Sequence, residues 1–158
     1  CFSNRDPIKD PKVGELLRRE KIAYLFQNFA LVEKMTVEEN MMLAAKYNKE
    51  KNKKNLIEAA LNKMGISDKL KSKVYELSGG EQQRVALARN MIKPFEIMLA
   101  DEPTGSLDYE NKKIVIDTLI RLNDEGKTIV VVSHDKDFEK VAHKNYIIEK
   151  SAIREVLR

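Results

Sequence analysis

Cysteine occurs once in this 158-residue sequence, at Cys1. No intramolecular disulfide is therefore possible, which fits a reducing compartment. Long hydrophobic runs are missing too. The strongest, such as residues 129–132, have strand length, against the roughly 20 apolar residues of a membrane-spanning helix. Any connection to a membrane is expected to pass through a partner. The opening Cys1-Phe2-Ser3-Asn4-Arg5-Asp6 is polar and leads into no apolar stretch, so no secretory leader is expected. Because a natural chain normally begins with Met, the start at Cys1 is expected to mark the loss of an upstream segment. Charge of one sign is scarce: 29 Lys and Arg against 25 Asp and Glu leave a net +4. Much of that excess sits in residues 46–54, where a lysine run beside asparagines reads as a solvated loop. No nucleic-acid partner is expected.

What is present is a globular balance, 42% hydrophobic and 34% charged, over a length that suits one domain. Residues 21–26 (KIAYLF) are apolar and rich in aromatics, the composition of a buried strand. Thr36 and Glu39 have the spacing of a capping box, opening a helix through residues 40–45. Leu56, Ile57, Ala60, Leu61 and Met64 recur at helical spacing, and Gly65 offers a C-cap. Ser78 and Glu81 repeat the capping-box spacing ahead of residues 85–88, and Pro94 closes that helix. Strands follow at 97–100, 128–133 and 146–148, with helices at 110–125 and 136–142 between them. Fully apolar strands alternating with amphipathic helices indicate a parallel sheet covered on both faces.

Three stretches carry chemistry. In Leu77-Ser78-Gly79-Gly80-Glu81-Gln82-Gln83-Arg84, a serine N-cap and two glycines expose the first backbone N–H groups of a helix. With the helix dipole they make a site for an anion such as a terminal phosphate. Ser-Gly-Gly alone equally describes an ordinary capped helix; the octapeptide is far more specific. In Ile97-Met98-Leu99-Ala100-Asp101-Glu102, two carboxylates stand at the carboxyl end of a strand, where open parallel sheets bind ligands. Asp101 suits a magnesium ion held through water and Glu102 suits polarising an attacking water. Solvated acids at a strand end are the plainer alternative. His134 follows the neighbouring strand into the same crevice and suits a γ-phosphate contact, although a lone histidine there can also be merely exposed. His143 takes no role.

Together and in this order, these elements resemble the ATP-binding-cassette (ABC) family over residues 21–148. Phe26-Gln27-Asn28 resembles the Q-loop, where the resemblance implies that Gln27 touches magnesium and the attacking water and reports to a transmembrane partner. Ser78, Gly79, Gly80 and Glu81 correspond to the signature, which serves the nucleotide of a second subunit. Asp101 and Glu102 correspond to the Walker B aspartate and the catalytic glutamate, Ser106, Leu107 and Asp108 to the D-loop, and His134 to the switch histidine. Asp101-Glu102-Pro103-Thr104-Gly105-Ser106-Leu107-Asp108 resembles exporters of the macrolide, lipoprotein and bacteriocin type. Gln27 to Val32, followed by Thr36 to Asn40, looks most like the bacteriocin exporters. The implied fold is α/β, a RecA-like (P-loop NTPase-like) parallel sheet from 21–27 and 93–158 with a helical subdomain at 28–92. The implied substrate is ATP with Mg2+. The implied partners are a second ATPase subunit and membrane permeases, which would hold the protein on the cytoplasmic face of the membrane.

One element of the family pattern is absent. Members carry Gly-x-x-x-x-Gly-Lys-Ser/Thr some tens of residues before the Q-loop, and its N–H groups and lysine hold the β- and γ-phosphates. Only 26 residues precede Gln27, and Gly14 is the sole glycine among them. Gly126-Lys127-Thr128 does not substitute: its first glycine would fall on Arg121, and it follows a helix and precedes a strand, the reverse of the required order. It reads as a helix C-cap. The N-terminal strands and the adenine-stacking aromatic are expected to be missing as well, leaving sheet edges open to self-association. Hydrolysis is therefore expected of the parent protein and not of this chain alone. The Asp-Gly turn usual after the last strand is replaced by Glu149-Lys150-Ser151-Ala152. The alternatives are a non-hydrolysing regulatory ABC module and a soluble ABC protein of DNA repair or translation.

Overall fold

The computed structural model describes residues 10–105, 107–149 and 152–156. Strands β1 (Ile22–Leu25), β2 (Ile97–Asp101) and β3 (Thr128–Val132) form a parallel sheet in the order β1-β2-β3. Leu25 lies opposite Ala100, and Asp101 opposite Val132, so the three carboxyl ends are level. The sheet is preceded by α1 (Pro11–Glu20), a helix the sequence reading did not anticipate because Val13, Leu16 and Leu17 are thinly set among charges. It is legible in retrospect from its start. The Asp10 carboxylate accepts the Lys12 N–H at 3.1 Å, and Pro11 occupies the first turn, where a missing N–H costs nothing.

Between β1 and β2 the chain builds α2 (Val37–Ala45), α3 (Lys53–Lys63) and α4 (Gly79–Ile92). Both capping boxes form as their spacing requires. Thr36 Oγ1 accepts the Glu39 N–H at 3.1 Å while Glu39 accepts the Thr36 N–H at 2.6 Å. Ser78 Oγ accepts the Glu81 N–H at 3.3 Å while Glu81 accepts the Ser78 N–H at 2.8 Å. Gly65 closes α3 at φ +62°, a left-handed position suited to glycine. Helix α5 (Tyr109–Asp124) crosses from β2 to β3, and Gly126 follows it at φ +86°. The Gly126 N–H donates to Asn123 O at 2.8 Å and the Lys127 N–H to Leu122 O at 3.1 Å, and Lys127 Nζ donates to Phe95 O at 2.9 Å. This triplet is a helix end, as its order implied.

A single core joins the two parts. It runs from Met41, Ile57, Leu61 and Leu87 in the helices, through Ala23, Leu25, Met98 and Ala100 on one face of the sheet, to Val115, Leu119 and Leu122 of α5. Each fully buried Leu, Ile or Met contributes about 1.5–3 kcal/mol, so the groups around the strand ends rest on a packed support.

Two expectations need correction. The sheet is not covered on both faces among the described residues: Tyr24, Ile97, Val130 and Val132 stay exposed, Val132 by 57%. Helices α4 and α5 both feed the core on the first face, and on the second face α1 reaches β1 beside Tyr24. Nor does the strand read at 146–148 join the parallel sheet. After α6 (Lys136–Val141), β4 (Asn145–Glu149) pairs antiparallel with β5 (Ala152–Val156) in a separate two-stranded ladder, Ile148 opposite Ile153. Lys150 and Ser151, at the position of the usual Asp-Gly turn, lie outside the described residues. A neighbouring strand satisfies β4 locally, and apolar composition alone cannot name a strand's partner.

Candidate functional site

The level strand ends bring distant positions together. Gln27 lies two residues past Leu25, Glu102 one residue past Asp101, and His134 two residues past Val132. Around them opens a cleft of about 640 Å³, with Gln27, Glu102, Leu107 and His134 in its wall. Of the residues singled out from sequence, these four share one cavity.

Glu102 is the most constrained. Its φ of +43° is left-handed for a non-glycine residue, which costs of order 1–3 kcal/mol and persists only where the surroundings enforce it. Here they do. The Glu102 N–H donates to Val132 O at 2.9 Å, its Oε2 accepts the Ser133 hydroxyl at 3.0 Å, and its Oε1 accepts the His134 N–H at 3.1 Å. A carboxylate has about four lone-pair directions, so this anchoring leaves acceptor capacity for a water. The His134 ring is fully exposed, its Nε2 3.7 Å from Glu102 Oε1, beyond hydrogen-bond reach.

Behind Glu102 runs a polar chain that sequence reasoning missed. Ser133 Oγ accepts the Asp135 N–H at 3.1 Å, and Asp135 accepts the Thr104 hydroxyl at 3.1 Å and Lys112 Nζ at 2.8–2.9 Å. Lys112 also meets Asp137 at 2.6 Å, and Lys140 meets it at 2.7 Å. Burial pushes the Asp135 carboxyl up, but Lys112, the Asp137 N–H and Thr104 together hold it below its ordinary value. Lys112, with help from Lys140, pulls Asp137 down to about 2. Only the Asp after His134, a helix N-cap type, hinted at this in the sequence.

The other singled-out residues lie elsewhere. None of Ser78, Gly79, Gly80 or Glu81 lines the cleft. They form the start of α4, where the Ser78 N–H leads the causes that hold Glu81 below its ordinary value. A Cβ on Gly79 would meet nothing within 4 Å, whereas one on Gly80 would come 2.5 Å from the Asn111 side chain. A side chain at the second glycine would therefore push the Asn111 amide away from Asp108. Asp108 caps α5, accepting the Asn111 N–H at 2.8 Å, a bond that lowers its pKa. Ser106 lies outside the described residues. Asp101 ends β2, exposed, beside Glu102.

Among the described residues no cluster of three or more His, Cys, Asp or Glu could hold a metal unaided. Asp101, the last residue of β2, and Gln27, two residues past the end of the neighbouring β1, instead each offer a hard oxygen donor. That fits Mg2+, which keeps several waters and takes most of its remaining ligands from substrate phosphates.

Comparison with known proteins places the chain. The sequence profile described as ABC transporter matches residues 4–105. This chain belongs to the ABC transporter family. It is 39% identical over 129 residues to the macrolide export ATP-binding/permease protein MacB of Bdellovibrio bacteriovorus, a match covering 82% of this chain and 20% of that protein. It is 41% identical over 133 residues to the lipoprotein-releasing system ATP-binding protein LolD of Aquifex aeolicus, covering 82% of this chain and 58% of the relative. The chain thus spans only part of the length of these relatives. Its fold superposes on a dimeric ATP-binding cassette, MJ0796, bound to ADP and phosphate, with TM-score 0.82 and 30% identity, covering 97% of this chain and 68% of that one. In this ABC chain the α/β class and the parallel sheet are as the sequence implied.

Proposed function

We propose that this chain supplies the hydrolytic half of the ATP site in the ATPase subunit of an ABC exporter, with Mg-ATP as substrate. The observation that carries the reading is the cleft in which Gln27, Glu102 and His134 meet, with the Glu102 carboxylate held by Ser133 and the His134 N–H. In that arrangement Glu102 accepts a proton from the attacking water, Gln27 orients that water, and His134 contacts the terminal phosphate. Asp101 and Gln27 hold the magnesium ion, which when bound neutralises charge on the phosphates. The exposed start of α4 at Ser78–Glu81 serves the nucleotide of a second subunit.

The sequence holds no phosphate loop, so this chain alone is inactive in our reading and the complete protein hydrolyses ATP. No helix among the described residues is long and apolar enough to cross a membrane, and we propose attachment to the cytoplasmic face through permease subunits. A second cleft of about 410 Å³, lined by Arg18, Tyr24, Phe26, Leu43, Tyr47 and Lys93 among others, adjoins the Gln27 turn and supports a permease contact there. For cargo we propose a peptide, bacteriocin or lipoprotein. This rests on the resemblance of the Gln27–Val32 stretch and on relatives named for macrolide export and lipoprotein release. Those names also favour a transporter over a DNA-repair or translation protein.

Calorimetric titration of Mg-ATP into this chain, beside a version extended upstream through the phosphate loop, tests the reading. Binding by the extended version alone is expected. In the complete protein Glu102→Gln should trap nucleotide and slow turnover by about 10²- to 10⁴-fold. Near-normal turnover would remove Glu102 as general base.

A further inference from the structure

Helix α4 begins at the signature residues, and two of its side chains reach the loops that carry Glu102 and Gln27. Gln83 is 1% exposed and donates Nε2 to Pro103 O at 2.7 Å, immediately beyond Glu102, while its buried Oε1 has no partner. The Arg89 guanidinium donates to Phe29 O at 3.1 Å and also to Ala30 O. Phe29 and Ala30 are both left-handed, at φ +62° and +48°. They close the turn that contains Gln27, the Phe29 N–H donating to Phe26 O at 3.0 Å. Partial burial lowers the Arg89 pKa, and no carboxylate among the described residues offsets it.

Stability alone does not explain Gln83: a buried amide with an unpaired oxygen costs free energy that an apolar side chain of similar size would avoid. The half-buried Arg89 guanidinium gives up part of its hydration, and its hydrogen-bond partners among the described residues are two backbone carbonyls. Their protein partners are backbone carbonyls of the two loops. Glycine or asparagine would suit the Phe29–Ala30 conformation better, so that turn needs an external hold, and Arg89 provides it.

We propose that Arg89 and Gln83 are positioning residues through which α4 holds the Gln27 turn and the Glu102 loop in register with its own signature end. What Gln27 and Glu102 then do rests on the ATPase reading above. The consequence is a mechanical link: a phosphate that shifts the start of α4 in one site moves the hydrolytic groups of the other site in the same subunit.

The test uses Arg89→Met, Arg89→Lys and Gln83→Met in the complete protein. Gln83→Met removes the unpaired oxygen but leaves the Pro103 carbonyl without its donor, so the two effects offset and Tm should change by only a few degrees, while kcat falls by about tenfold or more and KM changes by less than about threefold. Arg89→Met should speed hydrogen exchange at the Phe29 and Ala30 amides by about tenfold or more and leave Val85 to Ala88 in α4 protected. Arg89→Lys should recover part of the kcat, because an ammonium reaches a carbonyl but lacks the planar fork. Losses of kcat that only track losses of Tm, a KM effect with unchanged kcat, or unchanged exchange at Phe29 and Ala30 would overturn the proposal. If the wild type hydrolyses no ATP yet the exchange result holds, the positioning tie stands and the ATPase reading falls.

Discussion

Asn40 is the single side chain whose removal should most disturb the segment that follows the Gln27 turn. It is 0% exposed, in the second turn of α2. Its Oδ1 accepts the Val32 N–H at 2.8 Å, and its Nδ2 donates to Val32 O at 3.1 Å and Thr36 O at 3.0 Å. Asn40→Ala abolishes all three bonds and leaves the Val32 N–H without its partner, while Val32 O keeps the Met35 N–H at 3.0 Å. At about 0.5–1.5 kcal/mol for each bond, the loss should be about 2–4 kcal/mol. Asn40→Asp is nearly isosteric and separates packing from hydrogen bonding. One oxygen still accepts from Val32, but the other now faces two carbonyl oxygens, which disfavours the charged form and raises the carboxyl pKa in the folded state above its unfolded value of about 3.9. Between those two values the native state binds more protons than the unfolded one, so stability falls as pH rises. Urea titrations of the complete protein at about pH 4.5 and about pH 7.5 should therefore show Asn40→Asp closer to wild type at the lower pH. An Asp variant as stable as wild type at the higher pH, or gaining on it as pH rises, would refute the reasoning.

Other outcomes follow from the same geometry. Leu87→Ala, at a fully buried position of α4, should cost about 2–5 kcal/mol in chemical denaturation. Gly126→Ala, at φ +86°, should destabilise by about 1 kcal/mol while leaving Mg-ATP affinity of the complete protein unchanged; a lost affinity would give that triplet a phosphate role. Asp137, held at about 2 by Lys112 and then Lys140, stabilises the fold above its unfolded pKa of about 3.9, and that contribution is lost as pH falls toward the folded value. Lys112→Met should flatten the fall of Tm across that window, and an equally steep fall would show that the pair does not act as drawn.

The legible features were local ones. Thr36 with Glu39 and Ser78 with Glu81 announce helix starts because a capping box closes within four residues, and both form. Glu102 and His134 were identifiable because each stands just past an apolar strand, and parallel strands deliver their following residues to one edge. Gln83, Arg89, Lys112 and Asp135 were not singled out. Each acts on a partner many residues away in the chain, and a polar residue on a helix looks the same in sequence whether solvent or a carbonyl receives it.

The sequence by itself therefore determined the three parallel strands, the helices capped at Thr36 and Ser78, the family and the order of the motif residues, since these depend on spacing and side-chain chemistry within a few residues. Only the tertiary structure decided which strands pair, that β4 pairs with β5 instead of joining the sheet, and that Ile97, Val130 and Val132 stay exposed. It alone also decided how Glu102 is held in a left-handed conformation by β3 and the residues after it. Those outcomes depend on hydrogen bonds and burial between segments far apart in the chain, and such contacts exist only once the core from Met41 to Leu122 has closed.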